Sequence, residues 1–92
     1  MIRLIQISKR YDGYSLNDIY VNPRHIIYMT ESLTEKQLFA EGKIQLDFDK
    51  NVNFTKIKIN ENDHVSEIVV VGEPSTIENK IFKSKNKTLL RG

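Results

Sequence analysis

Residues 66–82 have the sequence SEIVVVGEPSTIENKIF, and this stretch decides the fold class. Four consecutive apolar residues at positions 68–71 supply both faces of a strand, which is typical of a strand at the centre of a sheet. Pro74 and an S-x-x-E capping box beginning at Ser75 follow, and apolar residues then recur at helical spacing. The stretch therefore predicts a central strand and a short C-terminal helix over residues 75–83 that packs on the sheet.

The rest of the chain predicts short strands separated by turn signals. The turn signals are Asp12-Gly13, Asn22-Pro23 and the NENDH of residues 60–64. Segments rich in β-branched, aromatic or alternating apolar residues lie between them at residues 2–8, 15–22, 25–31, 43–48 and 52–60. Residues 15–22 and 25–31 are either two strands or one strand interrupted at Pro23, which has no backbone N–H to give to a sheet.

Residues 32–42, SLTEKQLFAEG, permit two interpretations. Ser32 and Glu35 have the spacing of a capping box, and Gly42 is a suitable C-terminal stop. These features allow a helix of about two turns. An ordered loop between strands is the alternative.

The apolar residues of the 52–60 segment change sides along the chain. Val52 and Phe54 share one parity, whereas Ile57 and Ile59 share the other. A β-bulge near Thr55 would bring the two pairs to one face, because an extra residue in a strand reverses the alternation that follows it. We therefore expect a bulge there.

These elements predict a mainly β fold. We expect a small bent antiparallel sheet or barrel of five to six strands with a short C-terminal helix, forming a single domain over residues 1–83. Residues 84–92 are predicted to be a basic, flexible tail, because SKNKT has no apolar anchor and Leu89-Leu90 is isolated by polar and charged residues on both sides. The formal net charge of the chain is +2. The segment from residue 80 onward carries +5, so the first 79 residues carry −3.

Composition excludes several classes of protein. The chain has no cysteine, so it has no disulfide, no thiolate chemistry and no cysteine-based zinc site. Its longest apolar run, at residues 68–71, is far shorter than a membrane-spanning helix, and the first residues lack the apolar stretch of a signal peptide. We expect no membrane association and a cytoplasmic location.

Three segments together resemble a known family. They are MIRLIQI at the start, IYVNPRHIIYMTE at residues 19–31 and EIVVVGEPSTIENKI at residues 67–81. Their order, with an N-P-x-H-I strand and a step from the last strand into a terminal helix, resembles the FlbD-like family of very small bacterial β proteins linked to flagella. The resemblance covers about 35 residues and implies a small sheet with a terminal helix. The region from Thr30 to Asn60 is longer than that family has.

No residue pattern predicts catalysis. His25 and His64 are the two histidines, and neither has an acid or a nucleophile placed beside it by a recognisable motif. The simplest interpretation of Pro23, Arg24 and His25 is a turn between two strands. We predict structural histidines and no enzyme activity.

No motif predicts a metal or a cofactor either. Asp47, Asp49, Asn51 and Asn53 alternate like calcium ligands, but the glycine and the bidentate glutamate of an EF-hand loop are replaced by valine and lysine. The four glycines form no phosphate-binding array. We therefore expect no cofactor.

Small size and the absence of a catalytic motif favour a protein that acts by binding. The leading prediction is a non-enzymatic protein-interaction or regulatory module of phage or bacterial origin, whose partner is a protein. The alternative is a small nucleic-acid-binding protein that uses a Lys/Arg/Tyr surface and the basic tail. The candidate contact residues for either partner are Arg3, Lys9, Arg10, Tyr11, Tyr14, Lys56, Lys58, Lys83, Lys85 and Lys87.

We also predict a homo-oligomer, most simply a dimer. Several predicted strands carry apolar residues on both faces, and one terminal helix covers only one of them. The competing explanation is a monomer in which the 32–42 segment covers the second face.

Overall fold

The structure is a computed structural model that describes the backbone of residues 1–91 and the side chains of residues 1–84. The flexible tail predicted for residues 84–92 stays a prediction, because the side chains of residues 85–92 lie outside the described part of the chain. The elements in chain order are β1 (Ile2–Arg10), β2 (Gly13–Val21), a 3-10 turn (Pro23–His25), β3 (Ile26–Glu31), α1 (Leu33–Ala40), β4 (Phe54–Glu61), β5 (His64–Val71) and α2 (Pro74–Arg91).

The five strands form one antiparallel sheet in the order β2-β1-β5-β4-β3. The predicted mainly β fold with a C-terminal helix is therefore confirmed, and β5 is central as its apolar run indicated. The two edge strands, β2 and β3, are joined by residues 22–25 alone. The edges of a flat five-stranded sheet would lie roughly 19 Å apart. Since four residues with a 3-10 turn cannot span that distance, the sheet is strongly bent.

Two short turns close the hairpins. In the first, the turn residues are Tyr11 and Asp12, and Gly13 begins β2 with φ +142°. In the second, Asn62 and Asp63 both have positive φ, at 49° and 63°. Asn and Asp tolerate this left-handed conformation, which a hairpin turn of type I′ requires at both central positions.

The inner face of the sheet holds the main core. Buried residues from β1, β2, β4 and β5 pack together with Ile77 of α2, and Ile26 and Met29 of β3 pack against them. The helix contacts β1 and β3. It thus covers the inner face at the open side of the bent sheet, as the helical spacing of Ile77 and Ile81 predicted.

The outer face is partly covered by α1 and by residues 41–53. Phe54 is fully buried there, and Phe39 and Phe48 meet its ring edge-on. Ile7 and Ile44 are also buried in this cluster. The apolar second face, which was the reason to expect an oligomer, is therefore covered in large part by the chain itself. The oligomeric state stays a prediction.

Residues 43–48 do not form the predicted strand. Ile44, Leu46 and Phe48 do face the outer-face cluster, so the alternation correctly indicated which side chains turn inward. A strand also needs a partner strand, however, and within the described residues this segment pairs with none of the five strands. The segment is irregular.

The bulge predicted near Thr55 is also absent. The β4–β5 register runs without interruption from Phe54 to Glu61. β4 buries apolar residues on both of its faces, so Phe54 can face the outer cluster while Ile57 and Ile59 face the inner core. The bulge lies instead in β3, between Ile26 and Tyr28.

Both helices begin near the predicted positions. The helical interpretation of residues 32–42 is confirmed by α1. The predicted capping box is not formed, because the buried Ser32 hydroxyl donates to the Glu35 carboxylate at 3.0 Å and makes no capping hydrogen bond with the helix backbone. The second helix begins at Pro74, one residue before the predicted cap and at a position that suits proline. Ser75 accordingly donates its hydroxyl hydrogen bond backwards, to Glu73. The helix continues to Arg91, beyond the predicted end.

Candidate functional site

The basic and aromatic residues predicted as contacts are split by the fold. One group lies at the β1–β2 hairpin, where Lys9 and Tyr14 are cross-strand neighbours. Tyr11 is fully exposed in the turn, and the Arg10 Nε donates a hydrogen bond to Ser15 at 2.9 Å. The hairpin end therefore presents two cations beside two tyrosines.

The second group lies on β4, on the far side of the central strand. The Lys56 Nζ is 3.9 Å from a carboxylate oxygen of Glu67. The Lys58 Nζ lies 5.8 Å from the ring centre of Tyr28 on β3, as in a cation–π contact. Because Glu67 offsets one of these charges, the second group is a weaker phosphate-binding surface than its sequence indicated.

The remaining predicted residues stand apart from both groups. Arg3 is at the opposite end of β1 from the hairpin, with its Nη1 3.9 Å from Asp18 on β2. Lys83 is exposed on α2. Lys85 and Lys87 belong to the same helix, but their side chains lie outside the described residues.

A polar pocket opens beside the hairpin. It has a volume of about 340 Å³ and is lined by Asp12, Gly13, Tyr14, Lys43 and Gln45. Lys43 is also 3.3 Å from Glu41, so the pocket has charges of both signs near its rim. Most ligand pockets are predominantly apolar with a few polar groups, and this one has the opposite character.

The segment around Pro23 is a turn, as predicted. The side chain of Asn22 caps it by accepting from the Arg24 backbone N–H at 3.0 Å, and the His25 N–H donates to the Asn22 carbonyl. Arg24 is exposed, whereas His25 is half-buried. The buried His25 Nδ1 lies 3.5 Å from a Glu61 carboxylate oxygen without hydrogen-bond geometry.

Polar side chains in residues 47–53, which alternate like calcium ligands, form hydrogen bonds within the segment and with Lys36. Asp49 accepts from the Asn51 backbone N–H, and Asn53 accepts from the Lys36 ammonium at 2.6 Å. Among the described residues, no three His, Cys, Asp or Glu side chains are grouped so that they could hold a metal ion.

The outer edge of β2 is a feature that the sequence analysis missed. This strand is nine residues long and hydrogen-bonds to β1 alone. In an antiparallel pair every second residue turns its N–H and C=O away from the partner. In the part of the chain that the structure describes, no other strand takes up these outward groups of β2.

Apolar side chains accompany this edge on the outer face of the sheet. Leu16 and Tyr20 alternate with Asp18 along β2, and Ile5 lies opposite Asp18 on β1. Leu16 is 41% exposed, Tyr20 62% and Ile5 40%. We call Ile5, Leu16, Asp18 and Tyr20, with the outer backbone of β2, the β2 edge surface.

One local signal could have indicated this edge. Residues 13–21, GYSLNDIYV, contain no proline, lysine or arginine. Those residues are among the devices by which proteins protect strand edges. The signal becomes meaningful only when the strand is known to be at an edge, and the order of strands in the sheet decides that.

In comparisons with known proteins, no family model, no curated protein and no solved structure matches the chain. The resemblance to the FlbD-like family therefore stays a prediction. Among the described residues, neither helix is long and apolar enough to cross a membrane.

Proposed function

We propose that this protein is a non-enzymatic interaction module that binds another protein through the β2 edge surface. The observation that carries the proposal is a nine-residue edge strand with no proline, lysine, arginine or bulge, next to half-exposed apolar side chains. A regulatory role and a cytoplasmic location stay predictions.

Strand addition explains how such an edge would bind. An extended segment of a partner that pairs with β2 would satisfy the outward N–H and C=O groups, which gives affinity. Its alternate side chains would contact Leu16 and Tyr20, which gives specificity. Burial of these apolar groups would contribute roughly 25 cal/mol for each Å² removed from water.

A lysine scan of the two edges tests the proposal. Leu16→Lys places a charge in the β2 edge surface, and Ile27→Lys places the same charge on the other edge, at a residue that is 51% exposed. Both variants should unfold within about 0.5 kcal/mol of the wild type, because both sites are partly exposed. Proteins captured from native cells by the wild type should be captured by Ile27→Lys and lost with Leu16→Lys.

The reverse pattern would refute the proposal. If Leu16→Lys captured the same proteins as the wild type, the β2 edge surface would not be the binding site. Equal melting temperatures of the two variants ensure that a loss of capture does not reflect unfolding.

Nucleic-acid binding is the second candidate function, and the hairpin group favours it. Lys9 and Arg10 place cations beside Tyr14, and the fully exposed Tyr11 could stack on a base. The acidic balance of residues 1–79 works against a broad phosphate contact. The candidate is therefore limited to a short single strand.

Fluorescence anisotropy with a labelled oligo-dT tests this candidate. Binding by the hairpin group predicts that Tyr11→Ala weakens affinity by about 1–3 kcal/mol. It also predicts a steep loss of affinity as salt is raised. Affinity that does not change in Tyr11→Ala would remove the hairpin as a site.

A further inference from the structure

We infer that the segment bound by the β2 edge surface is an extended peptide with one basic residue between two apolar residues, each two positions away. The inference rests on the proposed function and deepens it by stating the chemistry of the partner. The geometry of Asp18 provides the argument.

Asp18 is the only charged residue in β2, and it lies between Leu16 and Tyr20 on the outer face. A residue directly opposite Asp18 on an added strand would have its Cβ about 4.5–5.5 Å away. A lysine or arginine at that place makes a favourable cross-strand pair, whereas an acid is repelled. The residues two positions before and after it would lie opposite Leu16 and Tyr20, which suit apolar side chains.

The carboxylate of Asp18 is able to take a second cation. Its contact with Arg3 is 3.9 Å long, and the two side chains are 54% and 63% exposed. That distance is too long for a hydrogen bond, and exposed pairs contribute little to stability. A carboxylate has two acceptor oxygens and can serve two donors.

On its other side β2 pairs with β1, where Ile5 lies opposite Asp18, Ile7 opposite Leu16 and Arg3 opposite Tyr20. The residue directly opposite Asp18 inside the fold is therefore apolar, and the contact of Asp18 with Arg3 is a diagonal one. A base directly opposite Asp18 on an added strand would supply the cross-strand charge pair that β1 does not.

A second copy of the chain fits this edge less well. Two β2 strands paired antiparallel about Asn17, Asp18 or Ile19 would bring the two Asp18 carboxylates opposite or diagonal to each other. Like charges so placed destabilise a strand pair. Registers that separate them shorten the ladder, since β2 has nine residues. The charge of β2 therefore favours a basic partner.

Two synthetic peptides test the inference. The first is acetyl-Thr-Leu-Thr-Arg-Thr-Leu-Thr-amide, and the second has glutamate in place of arginine. Each is titrated into ¹⁵N-labelled full-length protein, and the amide shifts report both the site and the Kd. The arginine peptide should shift amides of residues 13–21 and bind about fivefold more tightly than the glutamate peptide, as a cross-strand pair of about 1 kcal/mol gives.

Exchange of the charge at Asp18 is the decisive control. Asp18→Lys should reverse the order of the two peptides, and Asp18→Asn should make them equal. Two peptides that bind the wild type equally well at residues 13–21 would overturn the charge selectivity and leave strand addition intact. A titration in which neither peptide shifts these amides would overturn both the inference and the proposed function. A dimer by light scattering that Leu16→Lys dissociates, together with no peptide binding, would show that the occupant is a second copy.

Discussion

The two edges of the sheet differ in how they are protected. The edge formed by β3 is six residues long, follows Pro23 and contains a bulge at Ile27. The edge formed by β2 is nine residues long and has no proline, bulge, lysine or arginine. Short strands, bulges and prolines are the ordinary means of preventing strands from pairing with other chains. One edge thus has several of these features, whereas the other has none of them and a single charged residue, Asp18.

This difference indicates where binding would occur. A strand that pairs with β3 would meet an interrupted row of backbone groups, because a bulge bends the strand and leaves one residue unpaired. A strand that pairs with β2 would meet a regular row. This difference is why we propose β2, and not β3, as the strand that binds a partner.

The largest expected effect concerns the outer-face cluster around Phe54, the first residue of β4. Phe54→Ala removes a fully buried ring that contacts Phe39 of α1 and Phe48. It should lower the free energy of unfolding by about 3–5 kcal/mol, measured by urea denaturation. Phe82→Ala is the matched control, since Phe82 is 61% exposed, and it should cost less than about 0.5 kcal/mol. Similar losses in both variants would contradict the placement of the outer-face cluster.

A smaller effect is expected at the start of α1. Ser32→Ala removes the hydroxyl that donates to Glu35. The change should cost about 1 kcal/mol, as the loss of a part-buried hydrogen bond does. Hydrogen exchange should show the loss in α1 and leave β2 as protected as before. An unchanged melting temperature would show that the Ser32–Glu35 contact does not stabilise the helix.

Pro23→Ala tests the protection of the β3 edge and should destabilise the protein less than Phe54→Ala or Ser32→Ala. Because proline restricts the unfolded chain, its replacement should lower stability by about 0.4–1 kcal/mol while the turn is kept by Asn22. Binding of partners should be unchanged, since the bulge still interrupts β3. A gain of binding by this variant would show that proline alone protects the edge.

Deletion of Ile27 should have the smallest and most specific effect. It removes the extra residue of the bulge, so that Ile26 and Tyr28 would follow each other in register with Ile59 and Lys58. The β3 edge would become regular, and we expect weak new peptide binding there by NMR. If the variant binds only at residues 13–21, regularity of the backbone is not what distinguishes the edges.

Much of the fold followed from local signals in the sequence. The turn at Asn62-Asp63, the central position of residues 68–71 and the helix after Pro74 each have a local cause in backbone preference or apolar pattern. The irregular path of residues 43–48 has no such local cause, because whether a segment pairs into a sheet depends on the arrangement of the other strands. The absence of a bulge at Thr55 likewise depends on α1 and residues 41–53 covering the second face.

The candidate site was harder to predict for the same reason. The cations and tyrosines of the hairpin were visible in the sequence and lie together as expected. Leu16 and Tyr20 look like ordinary residues of an amphipathic strand until the strand order places β2 at an edge. Long-range pairing determines edges, and no local pattern of residues 13–21 contains that information.

The central claim is that β2, and not β3, is the edge that binds. The most direct test is a pair of ¹⁵N spectra of the protein, recorded alone and with the partner recovered by the lysine-scan capture. The account predicts that amide signals of residues 13–21 shift or broaden while those of residues 26–31 remain in place. Changes confined to residues 26–31, with residues 13–21 unaffected, would contradict it.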